Sequence, residues 1–381
     1  MAPRGVCADA SDDVSDLGNG SEVWRLTIWT AEDVPRPNNR GQRACLGPDA
    51  LYVFRRGPGT DGETVRQIVA LARVDGSVLW ERIIDGFDSM FPPVLRGGTL
   101  YVQRGRDVLA LDAGDGGTRW ESGEIASLQG VTCVGERGIA VYNERAGTGT
   151  APDRQLSILE PDTGAVRWSR PIPDAMRPNP TIAGETVYLA VANPGEGEKA
   201  SGRTVDHARR KVHARSVGDG SEHWTHTYET DAIQQSVARG GARSVTVTAD
   251  RVFYALGFES AFEIAGREQE RRKRLEEELY RGPNVVALDR TDGSVVWETT
   301  VGSQARVFLP LVAGPDHLYA HYRAVPSADE GTAEPRSRVV VIERADGTVR
   351  GSFGPVFWND RLAVADGRVF TQTGGGAKIW A

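Results

Sequence analysis

The chain has 381 residues and a formal net charge of −7. That balance excludes a globally basic surface for nucleic acid or anionic membrane, and no segment approaches the roughly 18 consecutive apolar residues of a membrane span. Positive charge is almost all arginine, with lysine only at Lys199, Lys211, Lys273 and Lys378, so a single arginine carries little meaning here. Cys7, Cys45 and Cys133 lie far apart with no CxxC pair, which argues against a disulfide framework or a thiolate metal site.

In chain order, residues 1–16 read as a disordered, polar and acidic tail. They hold no apolar h-region, so the chain as given reads as cytoplasmic, or as extracytoplasmic if an export segment is missing. A Gly-turn phrase with Trp four residues on then recurs as Gly20-Ser-Glu-Val-Trp24, Gly76-Ser-Val-Leu-Trp80, Gly116-Gly-Thr-Arg-Trp120, Gly164-Ala-Val-Arg-Trp168, Gly220-Ser-Glu-His-Trp224 and Gly293-Ser-Val-Val-Trp297. A seventh copy, Gly347-Thr-Val-Arg-Gly351, keeps the turn and loses the Trp. Units of about 54 residues are each too small to bury an apolar face alone, and that is the size of one four-stranded propeller blade.

Short apolar strands ending in an acid precede the turns: Leu109–Asp112, Leu156–Glu160, Val285–Asp289 and Val339–Glu343. Hairpins with tight Gly or Asp tips come before these, at Leu95–Val102, Ile182–Leu189, Ala249–Tyr254 and Val364–Phe370. Each unit thus reads strand A, tight turn, strand B, variable loop, strand C, Gly turn, Trp-bearing strand D. Residues 359–381 supply A, B and C only, while the Trp24 strand has no A, B or C before it. The prediction is an all-β, seven-bladed propeller of four-stranded antiparallel blades, closed by pairing of the N- and C-terminal segments. Residues 17–381 form its single domain, a monomer by expectation.

The pattern apolar strand–Asp–x–x–x–Gly–x–x–x–Trp resembles the PQQ-like (pyrroloquinoline-quinone-like) propeller repeat over nearly the whole chain. The resemblance implies that Trp24, Trp80, Trp120, Trp168, Trp224 and Trp297 dock between neighbouring blades. The Asp before each Gly reads as an Asx-turn acceptor. Quinoprotein dehydrogenases of this family hold the quinone over calcium, against a Trp and a vicinal disulfide, in eight blades. Here no two cysteines are adjacent and the count is seven, so neither the quinone nor calcium is expected.

Alternating strands put the A–B and C–D turns on one face and the B–C and D–A loops on the other. The long B–C loops are Arg55–Glu63, Asn143–Arg154, Asn193–Ala208, Gly257–Pro283 and Arg323–Arg338, and loops on a rigid scaffold carry binding groups. The insertion 257–283 holds a helical stretch (about 258–281) whose Arg267–Tyr280 segment carries i,i+4 pairs such as Arg272/Glu276 and Arg274/Glu278. Around the start of strand A lie Arg43, Asp88, Gln129, Arg177, Asn179, Arg243, Ser244, Arg306, Asn359 and Arg361. Guanidiniums there suit a carboxylate, phosphate or sulfate.

The histidines form local pairs, His207/His213, His223/His226 and His317/His321, without an HExxH frame or a zinc set; His226 shares strand parity with Trp224 and is expected to pack between blades. No GxSxG elbow or P-loop occurs. The leading expectation is a non-catalytic propeller that binds a protein partner or small anionic ligand on its loop-rich face. The alternative is an enzyme with an Arg-lined funnel site drawing on Asp88, Arg177, Arg306 or Arg361, and the third reading is a quinone-dependent dehydrogenase.

Overall fold

In a computed structural model of the chain, the described residues are 44–58, 64–84, 93–105, 107–123, 128–145, 153–172, 180–193, 209–228, 245–255, 283–301, 306–324, 336–354, 361–365, 368–373 and 376–380. The expected helix at 267–280 and the Trp24 strand lie outside them. Every regular element among the described residues is a strand.

Sheet 1 comprises β1 (Ala44–Leu46), β2 (Ala50–Pro58), β3 (Thr64–Ala72) and β4 (Val78–Ile83). Sheet 2 holds β5 (Val94–Arg96), β6 (Thr99–Arg104), β7 (Asp107–Asp112) and β8 (Thr118–Glu121). Sheet 3 holds β9 (Leu128–Val134), β10 (Ile139–Arg145), β11 (Asp153–Leu159) and β12 (Val166–Pro171). Sheet 4 comes next with β13 (Thr181–Ala183), β14 (Thr186–Asn193), β15 (Arg209–Ser216) and β16 (Glu222–Tyr228). Sheet 5 is β17 (Thr246–Val247), β18 (Arg251–Ala255), β19 (Val285–Asp289) and β20 (Val295–Thr299). Sheet 6 is β21 (Arg306–Ala313), β22 (His317–Ala324), β23 (Arg336–Glu343) and β24 (Val349–Phe353). Sheet 7 shows three strands, β25 (Arg361–Ala365), β26 (Arg368–Thr373) and β27 (Gly376–Trp380).

Each sheet is an antiparallel meander in chain order. The chain divides into two compact units, Met1–Pro171 with Val217–Asp219 and Ile172–Ser216 with Gly220–Ala381.

Second and third strands are continuous apolar runs because both of their faces are covered. Val108, Ala110 and Leu111 are fully buried in β7, as are Val285 to Leu288 in β19. In the first unit, Tyr52, Ile68 and Ala70 of sheet 1 pack with Leu95, Leu100 and Leu111 of sheet 2. In the second, Tyr188, Ala190 and Val212 pack with Val252, Tyr254 and Val286. Fourth strands are different: Thr118 and Arg119 are exposed in β8, and the Trp is the side chain that turns inward.

The recurring phrase builds one turn. Gly116 N donates to Asp112 O at 2.9 Å, Gly164 N to Glu160 O at 2.9 Å and Gly293 N to Asp289 O at 3.0 Å. The ladder slips by one residue beside each of these turns, as between Ala110 and Leu111 and between Ala287 and Leu288. This is a bulged turn whose last position needs positive φ, and Gly116, Gly164 and Gly293 have φ of 74, 72 and 75°. The preceding acid is the expected Asx acceptor: Asp75 Oδ1 takes the Ser77 N–H at 2.9 Å, and Asp292 Oδ1 that of Ser294 at 2.8 Å.

The Trp of one sheet then docks on the turn of the next. Trp80 Nε1 donates to Ala113 O at 3.0 Å, Trp120 Nε1 to Pro161 O at 2.8 Å and Trp168 Nε1 to Val217 O at 2.8 Å, all inside the first unit. In the second unit, Trp224 Nε1 reaches Arg290 O and Trp297 Nε1 reaches Arg344 O, both at 3.0 Å. The docking expected of these five side chains is therefore observed; Trp24 lies outside the described residues.

Cys45, 1% exposed, is disulfide-bonded. Sequence spacing measures chain length between cysteines, whereas bonding depends on their distance in the fold.

Candidate functional site

Because every sheet is a meander, its first–second and third–fourth connections leave from one end and its second–third connection from the other. The turn end is compact, with hairpin tips such as Gly97-Gly98 and Gly184-Glu185. At the opposite end the ladders climb further than the sequence suggested. Arg56 pairs with Arg66 and Pro58 with Thr64, Arg145 with Asp153, and Ala324 with Arg336. Parts of the expected B–C loops are thus strand, since backbone pairing needs no apolar side chain. Loop residues 59–63, 146–152, 194–208, 256–282 and 325–335 lie outside the described residues.

Of the candidate ligand-binding residues, three fall on described backbone. Gln129 is the second residue of β9, Arg306 opens β21 opposite Arg323, and Arg361 opens β25 opposite Gln372. All three therefore sit at the beginning of a first strand, at the end away from the Gly turns. Arg43, Asp88, Arg177, Asn179, Arg243, Ser244 and Asn359 lie outside the described residues.

Sequence reasoning missed how many arginines the turn end consumes. Arg290 Nε donates to the Tyr188 hydroxyl at 3.0 Å, Nη2 to Ala183 O at 3.0 Å and Nη1 to Thr248 O at 3.2 Å. Arg344 donates to Gly314 O at 2.9 Å and to Pro315 O, and reaches Asp250 Oδ1 at 3.4 Å. Both come directly after the acid that closes a third strand, which is the only signal that marks them.

A second set occupies the position before the Trp, or before Gly351 in the seventh copy. Arg119 pairs with Asp112 at 2.7 Å and Arg167 with Glu160 at 2.5 Å, and Arg350 pairs with Glu343 at 2.6 Å. The Arg119 and Arg167 guanidiniums hold the Asp112 and Glu160 carboxyls below their ordinary range. These groups stand largely in solvent, so each pair contributes little stability.

The histidines divide among separate places. His213 Nδ1 lies 2.7 Å from Thr225 Oγ1 and 3.4 Å from Glu222. His226 packs against Tyr254 at 6.1 Å, the inter-sheet position expected for it, and its Nε2 has no hydrogen-bond partner. His317 Nε2 lies 3.2 Å from Glu343. Among the described residues no three His, Cys, Asp or Glu side chains gather in a way that could hold a metal ion.

His321 is 5% exposed on β22, its Nε2 has no hydrogen-bond partner, and burial lowers its pKa to about 4. The folded chain therefore holds this ring neutral, while the unfolded chain protonates it near pH 6.5. Its contribution is complete above pH 6.5 and is lost as pH falls toward 4. About 2 kcal/mol should be lost at pH 5. Urea melts of the wild type and His321→Leu between pH 4.5 and 7.5 should show the smaller acid loss in the variant; equal slopes would refute the assignment.

Among the described residues the architecture is all-β, with six four-stranded antiparallel sheets and one of three strands, and within each unit a Trp-bearing fourth strand docks on a following turn. A family model described as outer membrane protein assembly factor BamB, of the PQQ repeat type, matches residues 10–195. Among solved structures, BamB from Moraxella catarrhalis is similar at 15% identity and a TM-score of 0.51, covering 87% of this chain and 81% of that one. A europium-containing methanol dehydrogenase is similar at 11% identity and a TM-score of 0.54, covering 89% and 76%. The quinohemoprotein alcohol dehydrogenase ADHIIG of Pseudomonas putida HK5 gives 11% and 0.54, covering 89% and 64%. No curated protein matches the sequence significantly. At such identities the structural likeness speaks for the fold. The family-model match, over just under half of the chain, and these structures support a PQQ-like repeat propeller family.

Proposed function

We propose that this chain is a non-catalytic PQQ-like propeller of seven blades that binds a protein partner or small anionic ligand on its loop-bearing face. The division of labour between the two strand ends carries this reading. At the turn end, Trp, Gly, Arg290 and Arg344 are committed to holding sheets together. The long connections and the starts of the first strands, with Gln129, Arg306 and Arg361, belong to the other end. The matched model's description as an outer membrane protein assembly factor supports a protein partner.

The reading gives the chain no quinone and no calcium, since none of its cysteines are adjacent. It also completes sheet 7 with the Gly20–Trp24 phrase as the fourth strand beside β27. Deleting residues 1–30 should then lower the melting temperature by several degrees, and an unchanged melting curve would sink the closure.

For the ligand arm, the full chain is screened by thermal shift against citrate, phosphate and sulfate, and by pull-down against envelope proteins. Arg177→Ala with Arg306→Ala should abolish any anion shift while leaving the unliganded melting temperature within about 1 °C. Anion shifts that persist in the double variant refute the anion site. Dye reduction after adding pyrroloquinoline quinone and calcium would instead assign a dehydrogenase.

A further inference from the structure

Four sheets repeat one cross-strand row, with an aromatic ring on the second strand, alanine on the third and Trp on the fourth. The rows are Tyr52–Ala70–Trp80, Tyr101–Ala110–Trp120, Tyr188–Ala214–Trp224 and Phe253–Ala287–Trp297. The two rings of each row lie 5.8 or 5.9 Å apart, and all four alanines are fully buried. Sheet 6 breaks the row, since Tyr319 pairs with Val341 and Val341 with Gly351. Here Tyr319 and Val341 are partly exposed and Gly351 is exposed.

Neither crowding nor backbone requires a glycine at this position. A Cβ on Gly351 would meet nothing within 4 Å, and its φ is not in the left-handed region. Val341 does not block an indole, because Ile158 holds the same third-strand place beside Trp168. The row therefore leaves an apolar notch in line with Trp224 and Trp297, which join sheets 4, 5 and 6. Phe353, opposite Val339, borders it on one side, and the pair His317 and Glu343 borders it toward the turns. At that end Asp316 and Asp346 stand exposed, with no ion pair among the described residues.

We propose that this notch takes a tryptophan side chain presented by a partner protein, with a basic residue beside it that meets Asp316 and Asp346. Five other fourth strands of this chain already carry an indole at the same place, which defines the shape that fits. A large aromatic with one N–H is also the side chain that gains most from a half-apolar, half-polar seat. The site is separate from the loop-bearing face, and neither reading depends on the other.

The test uses the full chain and two probes, N-acetyl-lysyl-fluorotryptophanamide and the uncharged N-acetyl-fluorotryptophanamide, followed by fluorine NMR line broadening. Both should broaden with the wild type at millimolar concentration, and no broadening up to about 10 mM overturns the proposal. Gly351→Trp supplies the indole from within, so it should abolish the broadening and leave the melting temperature unchanged or raised. Gly351→Leu, which fills the notch with a smaller side chain, gives the same readout if the Trp variant fails to fold. Broadening that persists in the folded variant overturns the site. Asp316→Asn with Asp346→Asn should weaken the lysyl probe about twofold to fivefold and spare the uncharged one. An unchanged lysyl probe overturns the assignment of the basic residue.

Discussion

Trp224→Ala should destabilise the fold by about 3–5 kcal/mol, the usual range for deleting a buried large aromatic side chain. The indole is 8% exposed and sits beside Tyr188 at a ring separation of 5.9 Å. Its Nε1 donates to Arg290 O at 3.0 Å, and its ring covers the backbone of Gly293. Truncation leaves a cavity between sheets 4 and 5 and an unpaired carbonyl. Trp224→Phe keeps much of the apolar area and loses the hydrogen bond, so it should cost clearly less. Urea melts followed by circular dichroism measure both. Equal losses for the two variants would show that ring burial is not the dominant contribution.

Gly293→Ala should cost about 3 kcal/mol for two separable reasons. The position has φ of 75°, where a Cβ carries a penalty of about 1–2 kcal/mol. The new methyl would also lie 2.5 Å from Trp224 Cε3 and 2.7 Å from Cδ2, so the indole must shift. Gly97→Ala separates the two effects, since φ there is 53° and nothing lies within 4 Å of the added carbon; it should lose only about 1 kcal/mol. In the Trp224→Ala background the steric part of the Gly293→Ala cost should vanish, giving a non-additive double-mutant cycle. Additive losses would mean that the ring and the turn do not touch as described.

The same geometry gives the seventh phrase its meaning. At Gly351 a Cβ would meet nothing within 4 Å, whereas Cβ atoms at Gly116, Gly164, Gly293 and Gly347 would each strike a Trp ring. The fourth strand of sheet 6 therefore carries no indole at the docking position, and it is exposed at Gly351.

The strands and the turns were legible because their signals are local. Alternation, the Gly at positive φ and the Asp that caps it depend on a few neighbouring residues. The site was less legible for the opposite reason. Gln129, Arg306 and Arg361 stand at or next to the start of a first strand. Arg290 and Arg344 are the same residue type as Arg306 and Arg361, yet the Arg290 guanidinium is spent on carbonyls reached across 41 to 107 residues of chain. Nothing in the neighbouring sequence separates an arginine that clasps a backbone from one left for a ligand.

By itself, the sequence determined an all-β chain of repeating four-strand units, the turn chemistry, and which residue of each fourth strand turns inward. These properties rest on periodicity and on backbone stereochemistry at single positions. Only the tertiary structure decided that Trp80, Trp120, Trp224 and Trp297 land on the glycine of the next turn, and that the strands run on into Arg145 and Ala324. It also decided that His321 is sealed with its Nε2 unpartnered and that Cys45 is bonded. Those are distances between residues far apart in the chain, set by how the sheets stack and therefore invisible to any local pattern.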